Sequence, residues 1–234
     1  MFKKKNELKN IMPKGVSLIT LKNKNSPVSE QYRTIRTNIQ FAMAESSLKT
    51  IVVTSSGPSE GKSTTSANLA VVFANSGLRV LLVDADLRKP TVAKTFNLKN
   101  ERGLSNLLGM HEIAVTDVAQ QTLVENLMVL PSGPKPSNPS EMLSSPKMNH
   151  VISQMEQYFD LVIFDMPPVV AVTDAQIMSA KVDGTILVVR EGISNKNALL
   201  KAKHLLEMVD ANILGAVYNG SQQSADQGYY YYGS

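Results

Sequence analysis

Lys62 lies in the run Gly57-Pro58-Ser59-Glu60-Gly61-Lys62-Ser63-Thr64, between small and polar residues and two hydroxyls. That spacing suits a polyphosphate. Small residues let backbone N–H groups turn toward phosphate oxygens, and a helix opening behind them adds its partial positive charge. Lys62 is then placed to reach the β- and γ-phosphates, and the Ser63 hydroxyl to ligate Mg²⁺. The pattern G-x-x-x-x-G-K-[ST] asks for glycine at position 56; the chain has Ser56 there and Gly57 one place later. A glycine-rich turn ahead of an ordinary helix is the plainer alternative. An apolar run at 51–54 before the loop and a helical pattern after it favour a phosphate loop, and with it Mg²⁺ and ATP.

Three carboxylates support that choice. Val80-Leu81-Leu82-Val83-Asp84-Ala85-Asp86 ends an apolar run on Asp84 with Asp86 just beyond, and Leu161-Val162-Ile163-Phe164-Asp165 ends another on Asp165. A carboxylate at the end of a buried strand is costly without a partner, and a metal ion is one such partner. Each taken alone is equally well a helix cap or a turn former. Three on one sheet edge beside a phosphate loop point to a catalytic, Mg²⁺-binding cluster.

Those residues need a frame. Strands are expected at 51–54, 80–84, 127–131, 161–165, 185–189 and 214–219, several of them continuously apolar, as in a parallel sheet covered on both faces. Helical patterns fall at 63–76, stopped by Gly77, at 146–158 and at 195–208. Another spans 29–44, with Ser29 as N-cap and Tyr32, Ile35, Ile39 and Met43 at helical spacing. The alternation predicts an α/β P-loop NTPase fold: a mainly parallel sheet flanked by helices, with ligands at the carboxyl ends of its strands. The Pro- and Gly-rich loop 132–139 follows a strand and should lie on that side. One domain, 29–220, is expected between a basic leading tail, 1–28, and a polar tail, 221–234.

Charge and composition narrow the function classes. Seven lysines against Glu7 give residues 1–24 a charge of +6, so the remainder carries −2 of the net +4. The basic surplus belongs to the tail, which argues against a nucleic-acid-binding domain. It suits a solvated terminus, or weak attraction to an anionic membrane or an acidic partner. Cysteine is absent and no apolar run approaches the roughly 18 residues of a membrane helix. The basic start has no apolar stretch behind it, so a cytoplasmic location is expected.

The order of phosphate loop, Leu82-Val83-Asp84-Ala85-Asp86-Leu87-Arg88-Lys89-Pro90 and Phe164-Asp165-Met166-Pro167-Pro168 resembles the deviant P-loop ATPases of chromosome partitioning and division-site placement. It resembles more closely the bacterial tyrosine kinases of capsule and exopolysaccharide assembly, in the Gram-positive form whose cytoplasmic kinase is a separate chain from its membrane activator. Position 57 lacks the second loop lysine of the partitioning ATPases. Glu30-Gln31-Tyr32-Arg33-Thr34-Ile35-Arg36 matches the E-x-x-R-x-x-R element of kinase self-association, and Tyr229, Tyr230, Tyr231 and Tyr232 match the autophosphorylated tail. Asn219 resembles an adenine-contacting Asn, or is a turn residue ending a strand. Arg88 and Lys89 are equally phosphate or subunit contacts or a solvated pair.

The resemblance implies a homo-oligomer such as a ring, a transmembrane activator that recruits the chain to the inner face of the cell membrane, a cognate tyrosine phosphatase and protein tyrosine substrates. The residues agree in part. A Glu30–Arg33 pair at i, i+3 is also a plain helix support of about 0.2–0.5 kcal/mol. Four of the seven tyrosines fall in the last six residues, after a segment too polar to pack. The chemistry expected is transfer of the γ-phosphoryl group to tyrosine. Asp84 takes the phenol proton, Asp86 and Ser63 hold Mg²⁺, and Asp165 shapes its water shell; Asp84 and Asp86 are interchangeable in these roles and both are candidate ligands. An ATP-driven switch or scaffold without kinase activity is the alternative.

Overall fold

β-Branched runs alternating with helical ones fold as expected. The structure, a computed structural model, describes residues 15–46, 48–110 and 113–221. The first fourteen residues and Tyr229–Tyr232 lie outside the described residues. The first half contains α1 (Ile19–Lys22), α2 (Pro27–Ser46), β1 (Thr50–Ser55), α3 (Lys62–Ala74), β2 (Val80–Asp84), α4 (Val92–Thr95), α5 (Leu104–Gly109) and α6 (Val115–Val118). There follow β3 (Gln120–Gln121), β4 (Leu127–Leu130), α7 (Pro139–Ser144), α8 (Pro146–Tyr158), β5 (Leu161–Asp165), α9 (Asp174–Ser179), β6 (Gly184–Arg190), α10 (Lys196–Glu207) and β7 (Ile213–Asn219).

The sheet order is β3-β4-β2-β5-β1-β6-β7, parallel except where β3 meets β4. Successive strand residues serve opposite faces. Leu81, Val83, Val162 and Phe164 pack with α8, α9 and α10, while Val80, Leu82, Leu161 and Ile163 pack with α2 and α3. Helix α3 is buried on every side from Thr65 to Ala74, because α2 covers the face that the sheet leaves open. It ends where Gly77, at φ 94°, turns the chain in a conformation that side chains resist. The sheet therefore holds the amino end of α3 rigidly against the carboxyl ends of β1, β2 and β5.

Three expectations need correction. Residues 15–26, assigned to the leading tail, pack on the domain: Leu18 and Thr20 are buried, and Thr20 Oγ1 donates to Asn68 Oδ1 at 2.8 Å. Lysine-rich composition conceals a short helix whose few apolar positions find α3. The N-cap of α2 is Ser26, whose Oγ accepts from Ser29 N at 3.1 Å, with Pro27 at the first helical position. Ser29 instead turns its hydroxyl to the Asn23 carbonyl at 2.7 Å. Strand β4 stops one residue early because Pro131 has no N–H to extend a ladder.

Candidate active site

Strand β1 delivers the chain to the loop, and the loop is held by three braces. Glu60 folds its carboxylate inward, accepting from Ser56 N at 2.9 Å and Ser56 Oγ at 2.7 Å. The hydroxyl at the departure from the pattern is therefore used, closing the loop on itself. Asn219, at the end of β7, donates from Nδ2 to the Glu60 carbonyl at 3.1 Å. Arg190, its register partner on β6, donates to the Ser59 carbonyl at 3.0 Å. Ser59 and Gly61 both have positive φ, 63° and 97°. A Cβ on Gly61 would stand 2.0 Å from Asn219 Nδ2, so that site needs glycine for space as well as for conformation.

Beyond the loop, Lys62 opens α3 and turns its ammonium into the site. Its Nζ lies 3.0 Å from Asp86 Oδ2 and 3.3 Å from Ser63 Oγ. Burial alone would lower its pKa, but Asp165 and then Asp86 outweigh that and hold it above the ordinary lysine value. Asp86 also accepts from Lys89 N at 2.9 Å through Oδ1.

Asp84 and Asp165 end neighbouring strands as register partners. Asp84 Oδ2 accepts from Thr91 N at 3.0 Å and Val92 N at 2.9 Å, capping α4, while Oδ1 is buried without a partner. Burial, then Asp165, raises its pKa to about 8. Asp165 is fully buried and makes no hydrogen bond of full geometry, and burial raises its pKa against the opposing charge of Lys62 and the nearby Ser63 and Ser66 hydroxyls.

Sequence reasoning missed a brace on this edge. Arg88 makes a two-pronged pair with Asp174 of α9, at 2.8 and 2.9 Å, and a third bond to Ser140 Oγ at 3.0 Å. It is held by these bonds while remaining partly exposed. No local signal reveals Asp174, since it lies 86 residues away at the start of a short helix. Arg190 was equally hidden.

Mg²⁺ fits this edge in a particular way. Among the described residues no three of His, Cys, Asp and Glu form a ready ligand cage. Mg²⁺ in phosphate sites keeps waters and takes substrate oxygens, needing only one or two protein groups. Ser63, Asp86 and the orphaned oxygens of Asp84 and Asp165 meet that need.

The structure thus assembles the loop 57–64, Asp84, Asp86, Asp165 and Asn219 on one edge. Glu30, Arg33 and Arg36 are elsewhere, on α2. Glu30 pairs with Arg33 at 2.5 Å, and Arg36 donates to the Val72 carbonyl at 3.2 Å, near the far end of α3.

A family model described as "AAA domain" matches residues 48–212. The tyrosine-protein kinase YwqD of Bacillus subtilis (strain 168) is 46% identical over 218 residues, 93% of this chain and 92% of that protein. The putative tyrosine-protein kinase CapB of Staphylococcus aureus is 41% identical, across 88% of this chain and 90% of CapB. Among solved structures, the chimerical protein CapA2B2 superposes with a TM-score of 0.84 at 42% identity, covering 88% of this chain and 90% of its own. The kinase domain of Escherichia coli ETK gives 0.84 at 32% identity, covering 97% and 88%. The septum site-determining protein MinD of Pyrococcus horikoshii, solved with Mg-ADP, shares the fold, with a TM-score of 0.62.

Proposed function

This chain belongs to the bacterial tyrosine-protein kinases, and from that premise we propose that it autophosphorylates the tyrosines of its own C-terminal segment, mainly between subunits, using Mg·ATP. The observation that carries the reading is the Lys62 ammonium held among Asp86, Asp165 and Asp84 at the amino end of α3. A buried cation at a helix start, beside orphaned carboxylate oxygens, is an arrangement made for a polyphosphate and its counterion.

When nucleotide enters, Lys62 exchanges Asp86 for phosphate oxygens, and the loop amides braced by Asn219 and Arg190 cradle the rest. Asn219 is also the proposed adenine contact, a role that its resemblance to the adenine-contacting Asn of related ATPases supports. Ser63 and Asp86, with Asp84 and Asp165 behind, would hold Mg²⁺, which would supply positive charge to the phosphates and favour the ionised carboxylates. Asp84 accepts the phenol proton as the tyrosine oxygen bonds to the γ-phosphorus and the bond to the β-phosphate oxygen breaks, leaving ADP. Positioning and electrostatics supply most of the catalysis in such a loose transition state.

Tyr229, Tyr230, Tyr231 and Tyr232 are the proposed acceptors. With Mg·ATP and the cytoplasmic segment of a membrane activator, wild type is expected to incorporate label into tyrosine. A chain with all four changed to Phe is expected to lose nearly all of it while still phosphorylating an added tyrosine polymer. Undiminished label in the Phe chain would move the acceptors elsewhere.

Assembly follows from α2. Glu30, Arg33 and Arg36 are proposed to bind a second copy, building an oligomer, ring-shaped in our reading, that a transmembrane activator gathers at the inner membrane face. Among the described residues no helix is long and apolar enough to cross a membrane. Each phosphotyrosine adds about −1.5 to −2 charges, so phosphorylated tails repel and loosen the ring until a cognate phosphatase resets it. Control of capsular or exopolysaccharide synthesis is the proposed output. Arg33→Ala with Arg36→Ala should give a smaller particle by light scattering. Arg36 also serves the Val72 carbonyl, a bond worth about 1–2 kcal/mol at most, so melting must be recorded alongside. Unchanged mass in a folded variant removes these residues from the interface.

A further inference from the structure

The turn between β2 and α4 has a second face. Its backbone fixes both strand-end carboxylates, through Lys89 N on Asp86 and Thr91 N on Asp84. Its side chains line a cleft of about 420 Å³ bounded by Lys89, Pro90, Thr91, Ala93, Lys94 and Asn100. Neither Lys89 nor Lys94 has a carboxylate partner among the described residues. The Thr91 hydroxyl on the same wall is buried without a hydrogen-bond partner. Asn100 is fixed, accepting from Gly133 N at 2.9 Å and from Ser132 Oγ at 3.1 Å, so that wall is rigid. On the far side of the turn Asp86 is matched by Lys62, and Asp84 accepts from Thr91 N and Val92 N. The cleft therefore offers two unmatched cations on the turn whose backbone N–H groups hold the proposed proton acceptor.

We propose that this cleft binds the phosphate of a tail tyrosine that has already been phosphorylated, and so feeds the next tyrosine to Asp84. The proposal rests on the tail being the acceptor. Tyr229–Tyr232 are consecutive, and in an extended segment residues two apart point the same way, about 7 Å from each other. A phosphotyrosine seated between Lys89 and Lys94 thus leaves a tyrosine two places along free to face the carboxylates. The unmodified tail carries a single acid, Asp226, and gives the cleft little to hold. The first transfer is then slow and the later ones fast, and tails fill in bursts.

Intact-mass spectrometry of the full chain, with Mg·ATP and an activator segment, reads this directly. Wild type should show tails with no phosphate or with several, and few with one. In Lys94→Gln, singly phosphorylated tails should form at the wild-type rate, and the second transfer should slow about fivefold to tenfold, the worth of one charge-assisted hydrogen bond. Lys94→Arg should restore the burst. Independent filling of the four positions in wild type, or an unchanged distribution in Lys94→Gln, overturns the cleft's role and leaves the acceptor assignment standing. A wild-type tail that takes no phosphate overturns both.

Discussion

Lys62→Met is expected to lower tyrosine phosphorylation by about 10²–10³-fold at saturating Mg·ATP, the scale for loss of one preorganised charge at a transition state. The reason lies in how this lysine is held. Its pKa stands above the ordinary value because Asp165 and Asp86 outweigh the cost of burial, so it is charged at every neutral pH. Its contribution to stability is present below the unfolded lysine value and is lost only as pH rises through the higher folded one, well outside the working range. A full positive charge is therefore waiting at the amino end of α3 before any nucleotide arrives.

Methionine fills the same volume without the charge. The loop braces from Asn219 and Arg190 do not involve Lys62, and they should keep the backbone in place. What the variant loses besides catalysis is the counter-charge of Asp86, which then sits with Asp165 and Asp84 uncompensated. Melting should accordingly fall more at pH 8 than at pH 6, where Asp84 and Asp165, whose pKa values burial raises, more readily take up protons. Phosphorylation assay and melting curve together separate the two consequences. Retention of more than about a tenth of wild-type transfer in a folded Lys62→Met chain would contradict the charge's role.

The parts of this site written in local sequence were legible. The loop, both acid-ended strands and the helix behind the lysine each carry their own signal, in residue type or apolar period, and 80–84, 146–158 and 161–165 matched residue for residue. What could not be read was whatever depends on two distant segments meeting. Arg88 looks like a solvated base until the fold brings Asp174 beside it. Asn219 looks like a turn residue until β7 aligns it with Gly61. Strand β3 is two glutamines with no period at all, and it exists only because β4 offers an open edge. The leading segment failed for the opposite reason: its lysine count hid Leu18 and Thr20, whose value appears only against α3. Periodicity reports which face an element buries, not which polar groups it will find there.

Asp84→Asn is expected to separate activity from stability. Transfer should fall by about 10²–10⁴-fold if the carboxylate accepts the phenol proton. The nucleotide-free protein should meanwhile become more stable at pH 8. Asp84 has its folded pKa raised from 3.8 to about 8, so the folded chain binds this proton more tightly than the unfolded chain does. The associated stability is complete below the unfolded value and is lost as pH rises through the window between them, by up to about 1.4 kcal/mol per pH unit. Asparagine has no proton to lose. Its side-chain oxygen can still accept from Thr91 and Val92, and its amide can donate toward Asp165, whose oxygens otherwise make no hydrogen bond of full geometry. In chelator, melting of wild type should drop between pH 6 and pH 8, while the variant, left with the raised pKa of Asp165 alone, should drop clearly less. A variant with the wild-type slope would place the strain elsewhere, and one that keeps near-normal transfer would pass the proton to Asp86 or Asp165. If both expectations hold, the chain tolerates a buried, unfavourable acid because the step it serves needs a base there, and stability is given up at the one position where chemistry requires it.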